Sequence, residues 1–319
     1  SLEKLVGKEI ALRVRASNTC QIDTIDVTGK IDEKNRQLLE KYKKAPAVQI
    51  PSKQPYGKLH TSTDKLVASD IKYVGGKAAN FGLLRRSIPD NSPVSIAFSF
   101  DLWDQFLKQK LSGGQTLQAE INNQLKIFSY PPDIAKIKTT LQVIRDIITD
   151  KTTFSAEQKK IIIDALKPFD PKKKIRFRSS TNVENSEIIT GAGLYDSKSG
   201  CLADDQDSDT SGPSLCDPAE PKERGIFRAI RKVFASFYND NAYLERLRFG
   251  LDENKVGMAL LVHHSFPDDI ELANGVATNQ KTNNSYGYKF VTQTGAISVT
   301  NPDGNAQPEV VTGNKSKSS

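Results

Sequence analysis

Val74-Gly75-Gly76-Lys77-Ala78-Ala79-Asn80-Phe81-Gly82-Leu83-Leu84 is the stretch on which the reading of the fold turns. Two glycines and a lysine precede a run whose apolar residues, Phe81, Leu84 and Ile88, recur at three- and four-residue steps. The spacing predicts a helix that opens at the glycines. A helix start leaves backbone N–H groups without intrahelical partners, and the macrodipole makes that end attract anions. Glycines let those N–H groups approach an oxyanion closely, and Lys77 adds a mobile positive charge. Taken alone, the segment reads either as a phosphate cradle or as an ordinary turn before a helix.

About a hundred residues further on, Lys174-Ile175-Arg176-Phe177-Arg178-Ser179 alternates strictly. The alternation predicts a strand with Ile175 and Phe177 on one face and Arg176 and Arg178 on the other. The chain continues through Ser180-Thr181-Asn182-Val183-Glu184 and later through Gly191-Ala192-Gly193-Leu194-Tyr195. An arginine at a strand end can fork two N–H bonds onto a phosphate, with the hydroxyls behind it holding the loop in place. A surface ion pair between Arg178 and Glu184 is the plainer alternative.

The surroundings are those of a globular protein. A chain of 319 residues exceeds the usual single-domain size. Hydrophobic content of 37% and charged content of 26% fit a packed core, and no apolar window is long enough to span a bilayer. The net charge of +7 comes with lysines spread over Lys41 to Lys44, Lys159 to Lys160 and Lys172 to Lys174, without the run of interleaved aromatics that a stacking platform needs. That distribution argues against nucleic-acid binding and for a solvated basic surface. Cys20, Cys201 and Cys216 lack metal spacing, and His60, His263 and His264 complete no zinc set with them. Cys201 and Cys216 bracket a polar loop that can close into a disulfide, with two free thiols as the open alternative.

Residues 1–70 read as a small leading unit, with an alternating stretch from Glu9 to Arg15, a helix through Leu38 and Leu39, and an irregular connector from Pro46 to Pro55. Helical periodicity dominates from Val74 onward, and Ser155 followed by Gln158 predicts a capping box. A polar insertion covers about 201–222. After it come a helix with Ile226, Ile230, Val233, Phe234 and Phe237 on its buried stripe, a buried strand from Val256 to Val262, and further strands at Gly275 to Ala277 and Tyr288 to Gln293. Within the insertion, Asp205, Asp207 and Asp209 alternate as in a calcium loop, but Thr210 and Cys216 stand where that loop wants glycine and glutamate. A solvated acidic loop is the competing reading. The lysine- and serine-rich tail after Gly313 is expected to fray.

With both leading segments in hand, the chain resembles the nucleotide-binding portion of the phosphoenolpyruvate synthase and pyruvate phosphate dikinase family. The family's Gly-Gly-Lys-x-x-Asn-Leu is similar to Gly75 through Phe81, and its Arg-Ser-Ser-x-x-x-Glu-Asp to Arg178 through Asn185. Its Ala-Gly-x-Tyr is similar to Ala192 through Tyr195, its Val-x-Ala-Ser to Val233 through Ser236, and its Met-Ala-x-Leu-Val to Met258 through Val262. Gly275-Val276 and Gln293-Thr294-Gly295 complete the series, so the resemblance runs from about 72 to 311.

The resemblance implies an α+β chain with an ATP-grasp-like fold, in which two subdomains, 71–200 and 201–319, enclose a cleft behind the extension 1–70. The second subdomain is expected to be cut short at its C-terminal end. ATP and magnesium are the implied cofactors. Gly75, Gly76, Lys77 and Arg178 are expected at the ATP phosphates, with Lys77 and Arg178 supplying the charge on which transfer depends. Gln293 is expected at the phosphates or the magnesium, and Glu309 at the metal.

There are departures from the family pattern. Gly287-Tyr288-Lys289 occupies the place of a metal-binding acid, His263 stands where glutamine is common, and Asn185 where aspartate is. The Thr-Ser-His or Thr-Cys-His signature of the family's phosphohistidine domain is absent, and His60 in Leu59-His60-Thr61 does not match it. The expected partners are therefore a nucleotide and the phosphohistidine and acceptor-binding domains of the same longer protein. A degenerate ATP-grasp-like module without catalysis is the rival expectation. The family implies a cytoplasmic location; a bridge between Cys201 and Cys216 would point outside the cytoplasm.

Overall fold

The computed structural model describes residues 8–15, 21–43, 45, 48–183, 189, 193–207, 209, 211–266, 270–281, 285–297, 299 and 307–316. The leading segment is an antiparallel hairpin, β1 (Ile10–Arg15) and β2 (Gln21–Asp26), followed by α1 (Glu33–Lys43). The main body is then built on β3 (His60–Ser62), α2 (Ile71–Ser87), β4 (Ser95–Phe98), α3 (Phe100–Leu107), α4 (Leu117–Leu125), α5 (Ile134–Asp150) and α6 (Ala156–Leu166). It continues with β5 (Ile175–Thr181), β6 (Ser197–Gly200), α7 (Ile226–Ala235), α8 (Asp240–Arg248) and β7 (Met258–His264). Its five strands form one antiparallel sheet in the order β3-β4-β7-β5-β6. A second, three-stranded antiparallel sheet joins β8 (Ala273–Lys281), β9 (Ser285–Thr294) and β10 (Glu309–Ser316) in the order β10-β9-β8. The α+β class is thus observed.

Local chemistry accounts for the helix starts. Ser99, Thr116, Asp133 and Ser155 each accept a backbone N–H of the first turn of α3, α4, α5 and α6, and Ser155 with Gln158 closes the expected capping box. The two faces of the five-stranded sheet differ sharply. Ile175, Phe177, Leu260, Val262, Ile96 and Phe98 belong to the large core formed with α3 to α7, in which Trp103, Phe106, Phe154 and Phe234 are fully buried. The opposite face, at Ala97 and Leu261, takes α2 through Val74, Ala78 and Ala79. These are small residues, so the helix can lie close to the sheet.

Three sequence expectations need correction here. Leu84 and Ile88 do not form the buried side of α2; they are 40% and 41% exposed, and Val74, Ala78, Ala79 and Gly82 face inward instead. Helical periodicity favoured the larger residues, but close approach to the sheet selects the smaller ones. The boundaries at 70/71 and 200/201 both cut the five-stranded sheet, because β3 lies before the first and β7, between β4 and β5, lies after the second. The polar insertion that set the second boundary interrupts a single core. Ordered structure does not stop at Gly313: β10 pairs with β9 as far as Ser316 opposite Ser285, and the rest of the tail lies outside the described residues.

The insertion is held by covalent and polar ties. Cys201 and Cys216 form a disulfide. Buried Asp204 accepts the N–H groups of Leu215 and Arg224, and Asp205 accepts those of Ile226 and Phe227 at the start of α7. Burial pushes the Asp205 carboxyl up to about 6, against the two backbone hydrogen bonds, which pull it down. The folded chain therefore holds this proton more tightly than the unfolded one. The stabilisation that results is complete below about pH 4 and is lost as the pH rises through about 6. The stability difference between wild type and Asp205→Asn should accordingly shift by on the order of 2–3 kcal/mol between pH 4 and pH 7, measured by urea denaturation.

Candidate functional site

The two segments singled out in the sequence meet. Gly75 has φ 75° and ψ 168°, a conformation outside the helical region, and breaks α2 into a first turn and a second stretch that begins at the following residues. The expected helix start at the glycines is therefore an internal break. β5 clasps it. Ser180 Oγ donates to the Val74 carbonyl at 2.7 Å and accepts the Ala78 N–H at 3.0 Å, so one hydroxyl bridges both sides of the break. Lys77 Nζ donates to Ser179 Oγ at 3.2 Å. This places the lysine next to the strand residue that follows Arg178.

Register assigns the neighbours of Arg178. Arg176 pairs with His263 and with Ser199, and Arg178 with Leu261 and with Ser197. Paired residues in an antiparallel ladder share a face, so both guanidiniums lie on the α2 side with Leu261 and His263. Both arginines are half-buried. Phe81 of α2 stacks on the His263 ring with centroids 6.2 Å apart and an interplanar angle of 8°. His263 is buried, and its Nδ1 lies 2.6 Å from the His264 carbonyl. Burial lowers its pKa, and the charges of Arg178 and Arg176 lower it further, so the ring is neutral near pH 7. The sequence marked His263 only as an unusual residue; its stacking on Phe81 follows from the register of β7 against α2, which local spacing does not encode.

The metal candidates behave differently. Asn274 pairs with Gln293 and Glu309 pairs with Thr292, so Gln293 and Glu309 project from opposite faces of the three-stranded sheet. Gln293 Oε1 is buried without a hydrogen-bond partner among the described residues, and an acceptor in that position suits a cation or a donor. Glu309 is exposed. The pair does not form a joint magnesium site. Glu184 and Asn185, and with them the alternative ion pair to Arg178, lie outside the described residues.

Two other features stand apart. A groove of about 830 Å³ is lined by Tyr56, His60, Asp101, Asp104, Lys108 and Ile161 among others, and neither Lys77 nor Arg178 borders it. Its acids are engaged: Asp101 accepts the N–H groups of Tyr56 and Gly57, and Asp104 pairs with Lys53. In the insertion, Asp207, Asp209 and Glu223 bring carboxylate oxygens within 4.8 Å of one another. Asp205 is not among them, because its carboxylate caps α7. The hydrogen bond to Asp209 pushes Glu223 up to about 7 and lowers Asp209, which is the behaviour of two carboxyls sharing a proton.

With this geometry in view, comparison with protein families is decisive. A family model described as the AMP/ATP-binding domain of pyruvate phosphate dikinase matches residues 71–306. The chain belongs to this family. Comparison with curated proteins gives no match. The pyruvate phosphate dikinase match begins at the first residue of α2 and takes in both sheets except β3 and β10. It thus spans the Lys77–Ser179 contact and Gln293 within one domain. Among the described residues no helix is long and apolar enough to cross a membrane.

Proposed function

We propose that this chain binds ATP, with Lys77 and Arg178 on the phosphates, as the nucleotide-binding part of a phosphotransferase. In this reading it donates a phosphoryl group to a histidine on a domain outside the chain. The observation that carries the reading is the contact of Lys77 Nζ with Ser179 Oγ, which ties the lysine of α2 to the strand residue that follows Arg178. Phosphoryl transfer depends mostly on positioning and on neutralising charge, and a lysine and an arginine from two elements supply both. Gly75 and Gly76 bring the backbone up to the same place. Gln293 is a further candidate, by way of its unpartnered carbonyl oxygen. Magnesium in this reading arrives bound to the nucleotide, since Gln293 and Glu309 do not share a face. We read an ATP-grasp-like pair of units in the five-stranded body and the three-stranded sheet, with the division after β7 instead of at residue 200.

The test is a ligand-dependent shift in unfolding. ATP with magnesium at a hundred times its Kd should stabilise the native state by about 2.7 kcal/mol. The Lys77→Ala/Arg178→Ala double variant should lose the shift while keeping its unliganded midpoint within a few degrees. A shift of undiminished size in the double variant would remove both residues from the site.

The Cys201–Cys216 bridge favours a second reading, an ATP-grasp-like binding module in an oxidising compartment, because such bonds persist where thiols are not kept reduced. Alkylation of the protein as isolated from its cells, followed by intact mass, separates the two. Labelled Cys201 and Cys216 would support the cytoplasmic enzyme, and protected ones the secreted module.

A further inference from the structure

Arg176 lies outside the family signature, which begins at Arg178, yet it shares a strand, a face and a neighbour with it. The two arginines are two residues apart on β5, so their Cα atoms are about 6.6 Å apart along the strand. That is comparable to the span of a di- or triphosphate. Ser199, directly opposite Arg176 on β6, accepts from its Nη1 at 3.3 Å and lies 2.8 Å from the Ser265 hydroxyl. These hydroxyls hold the side chain on the α2 face. The buried His263 lies directly opposite Arg176 on β7, with Leu261 opposite Arg178, so the two arginines line the same face of the sheet.

We infer that Arg176 is a second phosphate-binding guanidinium of the site, engaging a different phosphoryl group from Arg178 and making affinity depend on phosphate-chain length. The inference rests on the proposed ATP-binding reading for the nucleotide, but not for the polyphosphate. A single cation cluster at Lys77 and Arg178 grips one or two phosphoryl groups. Arg176 extends the positive track along β5, and a nucleotide with one phosphate cannot span it.

The experiment measures binding of ATP, ADP, AMP and inorganic tripolyphosphate to wild type, Arg176→Ala and Arg176→Lys by calorimetry, with the unliganded midpoint of each as a check on folding. Arg176→Ala should weaken ATP and tripolyphosphate at least tenfold and leave AMP within twofold. Arg176→Lys should fall between, since it keeps the charge but not the fork. Equal losses for all four ligands, or no loss, overturn the inference. If Arg176→Ala does not fold, Arg176→Lys carries the test: a tripolyphosphate loss below twofold overturns it. Tripolyphosphate binding that depends on Arg176, with no binding of ATP by wild type, would defeat the nucleotide reading and leave the inference standing.

Discussion

Replacing Gly75 with alanine is expected to lower stability by about 3–5 kcal/mol and to abolish nucleotide-dependent stabilisation. Two penalties act together. The backbone at φ 75° and ψ 168° lies in a region open essentially to glycine alone. A Cβ there would also stand 2.6 Å from Ser180 Oγ and closer still to the Ser180 carbonyl, which is backbone of the central sheet and cannot swing away. Relief requires moving α2 off β5. That movement breaks the Ser180 bridge across the helix break and withdraws Lys77 from Ser179. Gly114→Ala is the control, since Gly114 also has positive φ but nothing within 4 Å of the added carbon. It should lose only about 1–2 kcal/mol. Urea denaturation of the two variants compares strain alone with strain plus collision. Equal losses would mean that the contact with β5 is unimportant.

Truncating Glu253 to alanine is expected to destabilise the protein by about 3–5 kcal/mol, because it leaves a buried guanidinium without its counterion. Arg246 is 1% exposed. Its Nε and Nη2 meet the two Glu253 oxygens at 2.7 and 3.1 Å, and Nη1 donates to the carbonyls of Phe237 and Ala242 at 2.8 and 3.3 Å. The guanidinium carbon lies 3.8 Å from the Phe237 ring centroid. With Glu253 gone, that charge keeps only neutral partners. Replacing Arg246 by methionine in the Glu253→Ala background should recover part of the loss, since the stranded charge disappears. A double variant less stable than the single would show that Arg246 contributes packing beyond the ion pair. Because the pair sits between α8 and the turn before β7, the expected change is in stability, with nucleotide affinity of the folded protein unaffected.

What could be read from the sequence follows the range of the interactions. The alternation from Lys174 to Ser179 gave β5 and its two faces, because strand side chains alternate whatever they pair with. The stripe of α7 and the Ser155 cap were equally local. The approach of Lys77 to β5 was legible only through the family resemblance, since its contact is with Ser179, 102 residues away. The failures share a cause. Leu84 and Ile88 look like core until α2 is seen pressed against Ala97 and Leu261. Gln293 and Glu309 look like a metal pair until the β9-to-β10 register puts them on opposite faces. The acidic insertion read as a solvated loop, although Asp204 and Asp205 are structural acceptors for Leu215, Arg224 and α7. Each of these depends on a partner distant in sequence.

Sheets usually loosen first at their margins, where a ribbon has neighbours on one side only. Here β6, four residues long, is the margin next to the arginine strand, and its last residue is followed at once by Cys201. The sulfur link rivets that border to the loop that precedes α7. The lane carrying Arg176 and Arg178 is thereby expected to keep its alignment better than an untethered border would.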